Sequence, residues 1–192
     1  METINYIVGD ATDPVFVPGK IGPRVITHVC NDIGVWGAGF VMALSARNEL
    51  PEVLYRRWWS DGQKGLTYPP FQLGWVRLAP YCTENDASGA ARGGGPLLVA
   101  NMIAQHGVGR QNGNVPLRIE ALSACLEAVG EFVSASEGTV HMPRIGCGLA
   151  GGRWEEIEGI IQTSLCERGI PVFVYDLPGT QPVQNNIQKE LF

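Results

Sequence analysis

From Thr139 to Arg168 the chain reads TVHMPRIGCGLAGGRWEEIEGIIQTSLCER, and its character changes twice within that stretch. Thr139 to Met142 is a short apolar run suited to a strand. Gly146-Cys147-Gly148-Leu149-Ala150-Gly151-Gly152 follows as a glycine loop, and from about Arg153 to Arg168 the apolar residues return at helical intervals. Successive backbone N–H groups ahead of a helix favour an anion, through unsatisfied donors and the helix dipole. The loop is therefore suited to a diphosphate without help from a lysine. No Gly-Lys-Ser/Thr follows, and no acidic residue stands roughly 20 positions onward at a strand end, so nucleoside triphosphates and ordinary dinucleotides lose ground. For an isolated G-x-G the plainer reading is a tight strand-to-helix turn. A second glycine loop elsewhere in the chain argues against that.

Strand, glycine loop and helix recur upstream. Ile4 to Val8 reads as a strand ending in the turn Gly9-Asp10-Ala11-Thr12. Val25 to Cys30 is a second strand, and it stops at Asn31-Asp32-Ile33-Gly34-Val35-Trp36-Gly37-Ala38-Gly39, whose glycines permit close backbone approach to a ligand. Helical spacing follows over Phe40 to Arg47 and, after Pro51, over Glu52 to Ser60, where Trp58 and Trp59 are expected to pack. Trp75 to Leu78 and Leu97 to Gln105 read as neighbouring strands, joined by Cys82 to Pro96, a stretch of small residues expected to be mobile. Beyond the loop Gly107 to Gly113, Pro116 to Val133 is the clearest amphipathic helix, and Val172 to Tyr175 is a last strand. Strands alternating with helices predict an α/β fold: a mixed, largely parallel sheet with helices on both faces and ligands at the carboxyl ends of the strands. Residues 1–177 are read as one domain and 178–192 as a polar tail.

The bulk properties narrow the function. The 192 residues suffice for one core without disulfides or a structural metal. No apolar run approaches the ~20 residues needed to cross a bilayer, and no leader for secretion is visible, so a soluble cytoplasmic chain is expected. Five scattered cysteines with no C-x-x-C pair argue against a disulfide framework and a zinc site. With a net charge of -5 and three lysines among fourteen basic residues, no broad cationic field is available for a polyanion.

Gly9-Asp10-Ala11-Thr12, His28-Val29-Cys30-Asn31 with Trp36-Gly37-Ala38-Gly39, and Met142-Pro143-Arg144-Ile145-Gly146-Cys147-Gly148-Leu149 resemble, in order and spacing, the macrodomains. Within that family the chain is similar to the branch of the glutamate-specific terminal ADP-ribose glycohydrolases and their bacterial relatives, from about Ile4 to Leu177. The resemblance implies a three-layer α/β/α macrodomain fold that binds ADP-ribose. It implies that Asp10, with Ala11 beside it, accepts the adenine amino group and that the ring of Tyr175 lies against adenine. The first loop, with Asn31, Gly37, Ala38 and Gly39, should close over the distal ribose. The second, with Arg144, Gly146, Cys147, Gly148, Leu149, Ala150 and Gly151, should hold the diphosphate.

Each of these positions has a plainer reading. Asp10 suits a turn that bonds its own neighbouring amides, and Tyr175 suits a half-buried cap on the last strand. His28 and His141 sit within apolar strands and read as core residues, not ligands. Cys147 precedes a helix but has no partnering base, so it reads as a packing residue.

The chain also departs from the glycohydrolase pattern: Gln105 stands at the position of that branch's lysine, and Ala150 at that of its aspartate. The lysine-aspartate mechanism therefore does not transfer. An ester at an anomeric carbon is activated, so hydrolysis by an oriented water is expected instead, with Asn31, Asp32, Gln105 and His106 as candidate catalytic residues. Only Asp32 and His106 can act as bases. The expected partners are ADP-ribose and ADP-ribosylated proteins, met by a monomer without cofactor, metal, membrane or nucleic acid. The alternatives are a non-catalytic ADP-ribose reader and, with little support from the charge balance, removal of ADP-ribose from nucleic acid bases.

Overall fold

A computed structural model describes residues 2–81, 95–109 and 113–179. Its strands are β1 (Ile4–Val8), β2 (Arg24–Asn31), β3 (Val76–Pro80), β4 (Leu97–Gln105), β5 (Thr139–Pro143) and β6 (Val172–Asp176). They form one sheet in the order β1-β6-β5-β2-β4-β3. Every pairing is parallel except β3 against β4 at one edge. The helices are α1 (Phe40–Arg47), α2 (Leu50–Gly62), α3 (Ile119–Ala135) and α4 (Trp154–Ser164).

Alternation along the central strands divides the core in two. Val25 of β2 joins Ala100, Met102, Val140 and Met142 under α3 and α4, whose Leu122, Leu126, Ile157 and Ile161 are fully buried. Its neighbour Ile26 faces the other way, with Val99 and Ile103, against Leu44 of α1 and Tyr55 and Trp58 of α2. Each such side chain contributes about 1.5–3 kcal/mol on burial, so both layers of helices are held chiefly by these apolar faces. This is the expected α/β/α sandwich.

Three helices differ most from their sequence boundaries. The amphipathic helix begins at Ile119, not Pro116, because Leu117 bridges to Gln105 and the Arg118 amide donates to the Ala104 carbonyl at 2.8 Å. The helix from Arg153 stops at Ser164; Leu165 leaves helical angles at φ -122°, and a short 3-10 turn, Cys166–Arg168, ends at left-handed Gly169. The second helix extends past both expected ends, to Leu50 and Gly62, with Pro51 in its first turn where a missing N–H costs nothing. Trp58 is buried as expected, whereas Trp59 is partly exposed and lies over Gly34, where a Cβ would come within 2.4 Å of its ring. Most of the Cys82 to Pro96 connection and nearly all of the tail lie outside the described residues.

The strand order positions the site. β2 lies between β5 and β4, so three carboxyl ends stand side by side. The chain leaving β2 turns to α1 on one face, while the chain leaving β5 turns to α4 on the other. Connections that part in this way leave a crevice at the sheet's edge.

Candidate functional site

That crevice is a cleft of about 590 Å³, within the size range of small-molecule sites. One wall is the first loop, with Val35, Trp36, Gly37, Ala38 and Gly39; the other is the second loop, with Arg144, Gly146, Gly148, Leu149 and Ala150. Its floor is the end of β2, and Gln105, Val108 and Gly109 close the third side.

Local chemistry sets the shape of both loops. Gly34 and Gly39 adopt φ values of 74° and 77°, which L side chains rarely take, and Gly39 caps α1 without any side-chain bond. In the second loop the Gly152 amide bonds the Gly146 carbonyl at 2.8 Å, and the Gly151 amide bonds the Gly148 carbonyl at 3.0 Å. A Cβ on Gly152 would lie 2.4 Å from Leu117, so the loop closes there only without a side chain. Among the described residues, the amides of Cys147, Gly148, Leu149 and Ala150 have no hydrogen-bond acceptor. They form a short run of donors beside the cleft, of the kind that cradles phosphate oxygens. The helix dipole contributes less than the sequence suggests, because Glu155 and Glu156 already occupy the first turn of α4.

The loop joins a second anchor. Arg144 makes a bidentate ion pair with Asp176 at the end of β6, at 2.6 and 2.8 Å, while its guanidinium lies 5.0 Å from the ring centroids of Tyr6 and Trp154. The Asp176 pairing and burial act in opposite senses on Arg144, and the pairing prevails to raise its pKa. Arg144 lines the cleft, yet its hydrogen bonds hold the scaffold.

Several predicted residues stand elsewhere or do other work. Asn31 borders the cleft, but its side chain staples the first loop. Its Nδ2 donates to the Val35 carbonyl at 2.6 Å, and its Oδ1 accepts from the Ile33 amide at 3.2 Å, the Val35 amide at 3.0 Å and the Tyr55 hydroxyl at 3.1 Å. So engaged, the Asn31 side chain holds the first loop in shape. Gln105 also reaches the cleft, and its amide donates to the Gly107 carbonyl at 2.8 Å.

Tyr175 is likewise engaged within the fold. Its ring is buried, with 4% of the residue exposed, and its hydroxyl accepts from the Val15 amide at 3.0 Å and meets His141 Nδ1 at 2.9 Å. That ring offers no open face for stacking on adenine. Ala11 is likewise buried. Asp10 takes the turn reading: one oxygen accepts from the Thr12 amide and hydroxyl, and the other pairs with Arg47 at 3.1 Å. Burial pushes its carboxyl up, but Thr12 and Arg47 together bring it below its ordinary value. Neither Asp10, Ala11 nor Tyr175 lines the cleft, and Cys147 and Gly151 also stay behind its wall. Burial pushes the Cys147 thiol up to about 11, Arg144 offsetting part of the rise, so it is no ready nucleophile.

His28 and His141 are core residues. His28 Nε2 lies 2.7 Å from Asn101 Oδ1 and His141 Nε2 lies 2.8 Å from Thr139 Oγ1, and burial pushes the two rings down to about 4 and about 3. His28 nevertheless contributes to the cleft lining, with Cys30 and Phe40. Sequence reading missed these, although alternation along β2 carries the signal, since residues 28 and 30 share one face.

Asp32 and His106, 74 residues apart in sequence, meet just past the ends of β2 and β4; neither lines the cleft, although Asn31 and Gln105, which precede them, do. His106 Nδ1 lies 2.7 Å from Asp32 Oδ2, and the Gly107 amide donates to Asp32 Oδ1 at 2.8 Å. Among the described residues, no group of three or more His, Cys, Asp or Glu is placed to hold a metal ion, and no helix is long and apolar enough to cross a membrane.

An α/β/α sandwich with a glycine-walled cleft at the parting of its central connections defines a class of domains that bind nucleotide-like anions. No family model matches the chain. It is 41% identical to a macrodomain protein from Streptomyces coelicolor, over 90% of this chain and 98% of that one, at a TM-score of 0.68. A Bacteroides thetaiotaomicron protein of unknown function is 45% identical over 92% of this chain and 99% of its own, at a TM-score of 0.77. The chain belongs to the macrodomain family. Among curated proteins it is 31% identical to the mouse (Mus musculus) chromodomain-helicase-DNA-binding protein 1-like, over 92% of this chain. It spans only 18% of that protein's length and 15% of its zebrafish (Danio rerio) counterpart's. It is also 27% identical to an ADP-ribose 1''-phosphate phosphatase of Meyerozyma guilliermondii, over 84% of this chain and 94% of that one.

Proposed function

We propose that this chain binds ADP-ribose in the cleft and hydrolyses mono-ADP-ribose from acidic side chains of proteins, using a positioned water in place of a lysine-aspartate pair. The observation that carries the reading is the run of amides from Cys147 to Ala150, unbonded among the described residues, beside a cleft of about 590 Å³. Those donors suit a diphosphate, and the opposite wall approaches closely because Gly37 and Gly39 carry no side chain. The substrate named for the yeast phosphatase relative, ADP-ribose 1''-phosphate, supports the ligand assignment. A carboxylate departs from an anomeric carbon as a stable anion, with an ordinary pKa of about 4, and needs no proton. That chemistry asks little of the protein beyond orientation and one base, in keeping with Ala150 and Gln105 at the positions of the reactive pair.

Calorimetric titration with ADP-ribose, ADP and AMP tests the first half; micromolar or tighter binding of ADP-ribose and weaker binding of AMP are expected. Release of ADP-ribose from glutamate-modified protein tests the second. Gln105 and Ala150 equally favour a non-catalytic reader, and binding without release would establish that reading.

A further inference from the structure

We infer that His106 is the general base of this site, with Asp32 as the positioning residue that sets its tautomer. The inference rests on the proposed hydrolytic function and assigns its base. Asp32 closes the end of β2, and its carboxylate is fixed from two sides, by the Gly107 amide and by His106 Nδ1. The Asp32 amide in turn donates to the Gln105 carbonyl at 2.9 Å, so the two strand ends are locked together. A carboxylate only accepts, so Nδ1 carries the proton in this contact, and in the neutral ring Nε2 is then the atom with the lone pair. The ring is half exposed, its side chain 52% accessible, and among the described residues its hydrogen bond is made through Nδ1.

Neither residue of the pair lines the cleft itself, but each follows directly on one that does, Asp32 on Asn31 and His106 on Gln105, and Val108 and Gly109 of the lining come just after His106. Asn31, Gln105 and Cys147 are poor bases, because the first two amides are bonded and have no basic lone pair, and the Cys147 thiol, half-buried, is pushed up to about 11 by burial. Of the four candidates the sequence offers, only His106 combines an unbonded basic atom with an orienting partner.

In the step assigned, a water at the anomeric carbon gives its proton to His106 Nε2 as its oxygen bonds that carbon. The bond from the carbon to the ester oxygen breaks, and its electron pair leaves with the carboxylate. ADP-ribose and a free acidic side chain result, and the imidazolium returns its proton to solvent.

His106→Asn is the discriminating variant, because its amide nitrogen keeps a donor for Asp32 while the Nε2 lone pair is lost. With the full chain and glutamate-linked ADP-ribose, release by His106→Asn should slow about a hundredfold or more, the usual contribution of a general base. Its affinity for free ADP-ribose, measured by calorimetry, should match that of the parent. Asp32→Asn should lower kcat more than it raises KM and should displace the acid limb of the pH profile, which a purely structural contact would not move. Among the described residues, Asp32 is the charged group facing the ring; Tyr55 of α2 turns to Asn31, and Arg56 to the Gly34 and Trp36 carbonyls. Parental rates in His106→Asn would overturn the inference and leave the hydrolytic reading standing. A matching loss of ADP-ribose binding would also overturn it, as a structural contact. A parent protein that binds ADP-ribose and releases none from the ester would overturn both.

Discussion

Replacing Asn31 by alanine separates a staple from a catalyst. The substitution removes one donated bond, to the Val35 carbonyl at 2.6 Å, and three accepted ones, from Ile33, Val35 and Tyr55. The Tyr55 hydroxyl keeps its bond to the Asn31 carbonyl at 2.7 Å and loses little. The other three bonds serve backbone groups of a loop open to solvent on one side. At the lower end of the usual 0.5–1.5 kcal/mol per bond for the two amides, and the upper end for the short carbonyl bond, the sum is roughly 2–3 kcal/mol. For a domain of this size that corresponds to a melting point lower by roughly 4–12 °C. Thermal and urea unfolding should show the loss with an unchanged urea slope, and ADP-ribose binding should weaken because the first loop is no longer held in shape. Unchanged stability together with a selective fall in turnover would refute the staple and return Asn31 to the chemistry.

Further outcomes follow from the same geometry. An added Cβ at Gly148 meets no atom within 4 Å, so Gly148→Leu should unfold within about 0.5 kcal/mol of the parent yet bind ADP-ribose at least tenfold more weakly by calorimetry, because the new side chain obstructs the donor run. Arg144→Met strands the Asp176 carboxylate, which has 14% of its side chain exposed, and urea unfolding should register a loss of about 3 kcal/mol. The two buried histidines make the fold sensitive to acid: their folded-state pKa values, about 4 and about 3, lie below the unfolded value of about 6.5. The unfolded chain therefore takes up protons first, and stability falls as pH drops below about 6.5, by up to about 1.4 kcal/mol per unit for each ring, levelling off once the folded rings also protonate. Urea midpoints between pH 7 and 4.5 should show this, and His141→Gln should reduce the slope; a variant as acid-sensitive as the parent would show that His141 plays no part in it.

The fold was legible because its signals are local. Apolar runs such as Ile4 to Val8 and Leu97 to Gln105 match the strands residue for residue, and Phe40 to Arg47 matches its helix. What escaped was set by contacts across the chain. Periodicity carries Leu117 into a helix, but pairing with Gln105 takes it out again. Spacing shows that Asn31 and Tyr175 end strands beside glycine loops, yet says nothing of the bonds that occupy them. Asp10 and Thr12 lie two residues apart, and there the turn was readable; Asp32 and His106 meet only because β2 and β4 are neighbours. The candidate site was thus visible as a set of strand ends, whereas the division of labour among its side chains needed their coordinates.

Between Cys30 and Asn31 the register of β2 on β4 slips, so that Asn31 pairs with Gln105 while Cys30 pairs with Ile103. The slip divides the rim into two territories. Toward β6 the wall is clamped by Arg144 on Asp176, and beyond β4 His106 and Gly107 are held by Asp32, by the Gln105 amide and by the Pro116 carbonyl. Replacements in that outer segment can retune reactivity while the amide cradle across the cleft keeps its shape, so a domain of this plan can gain or lose turnover without changing what it holds.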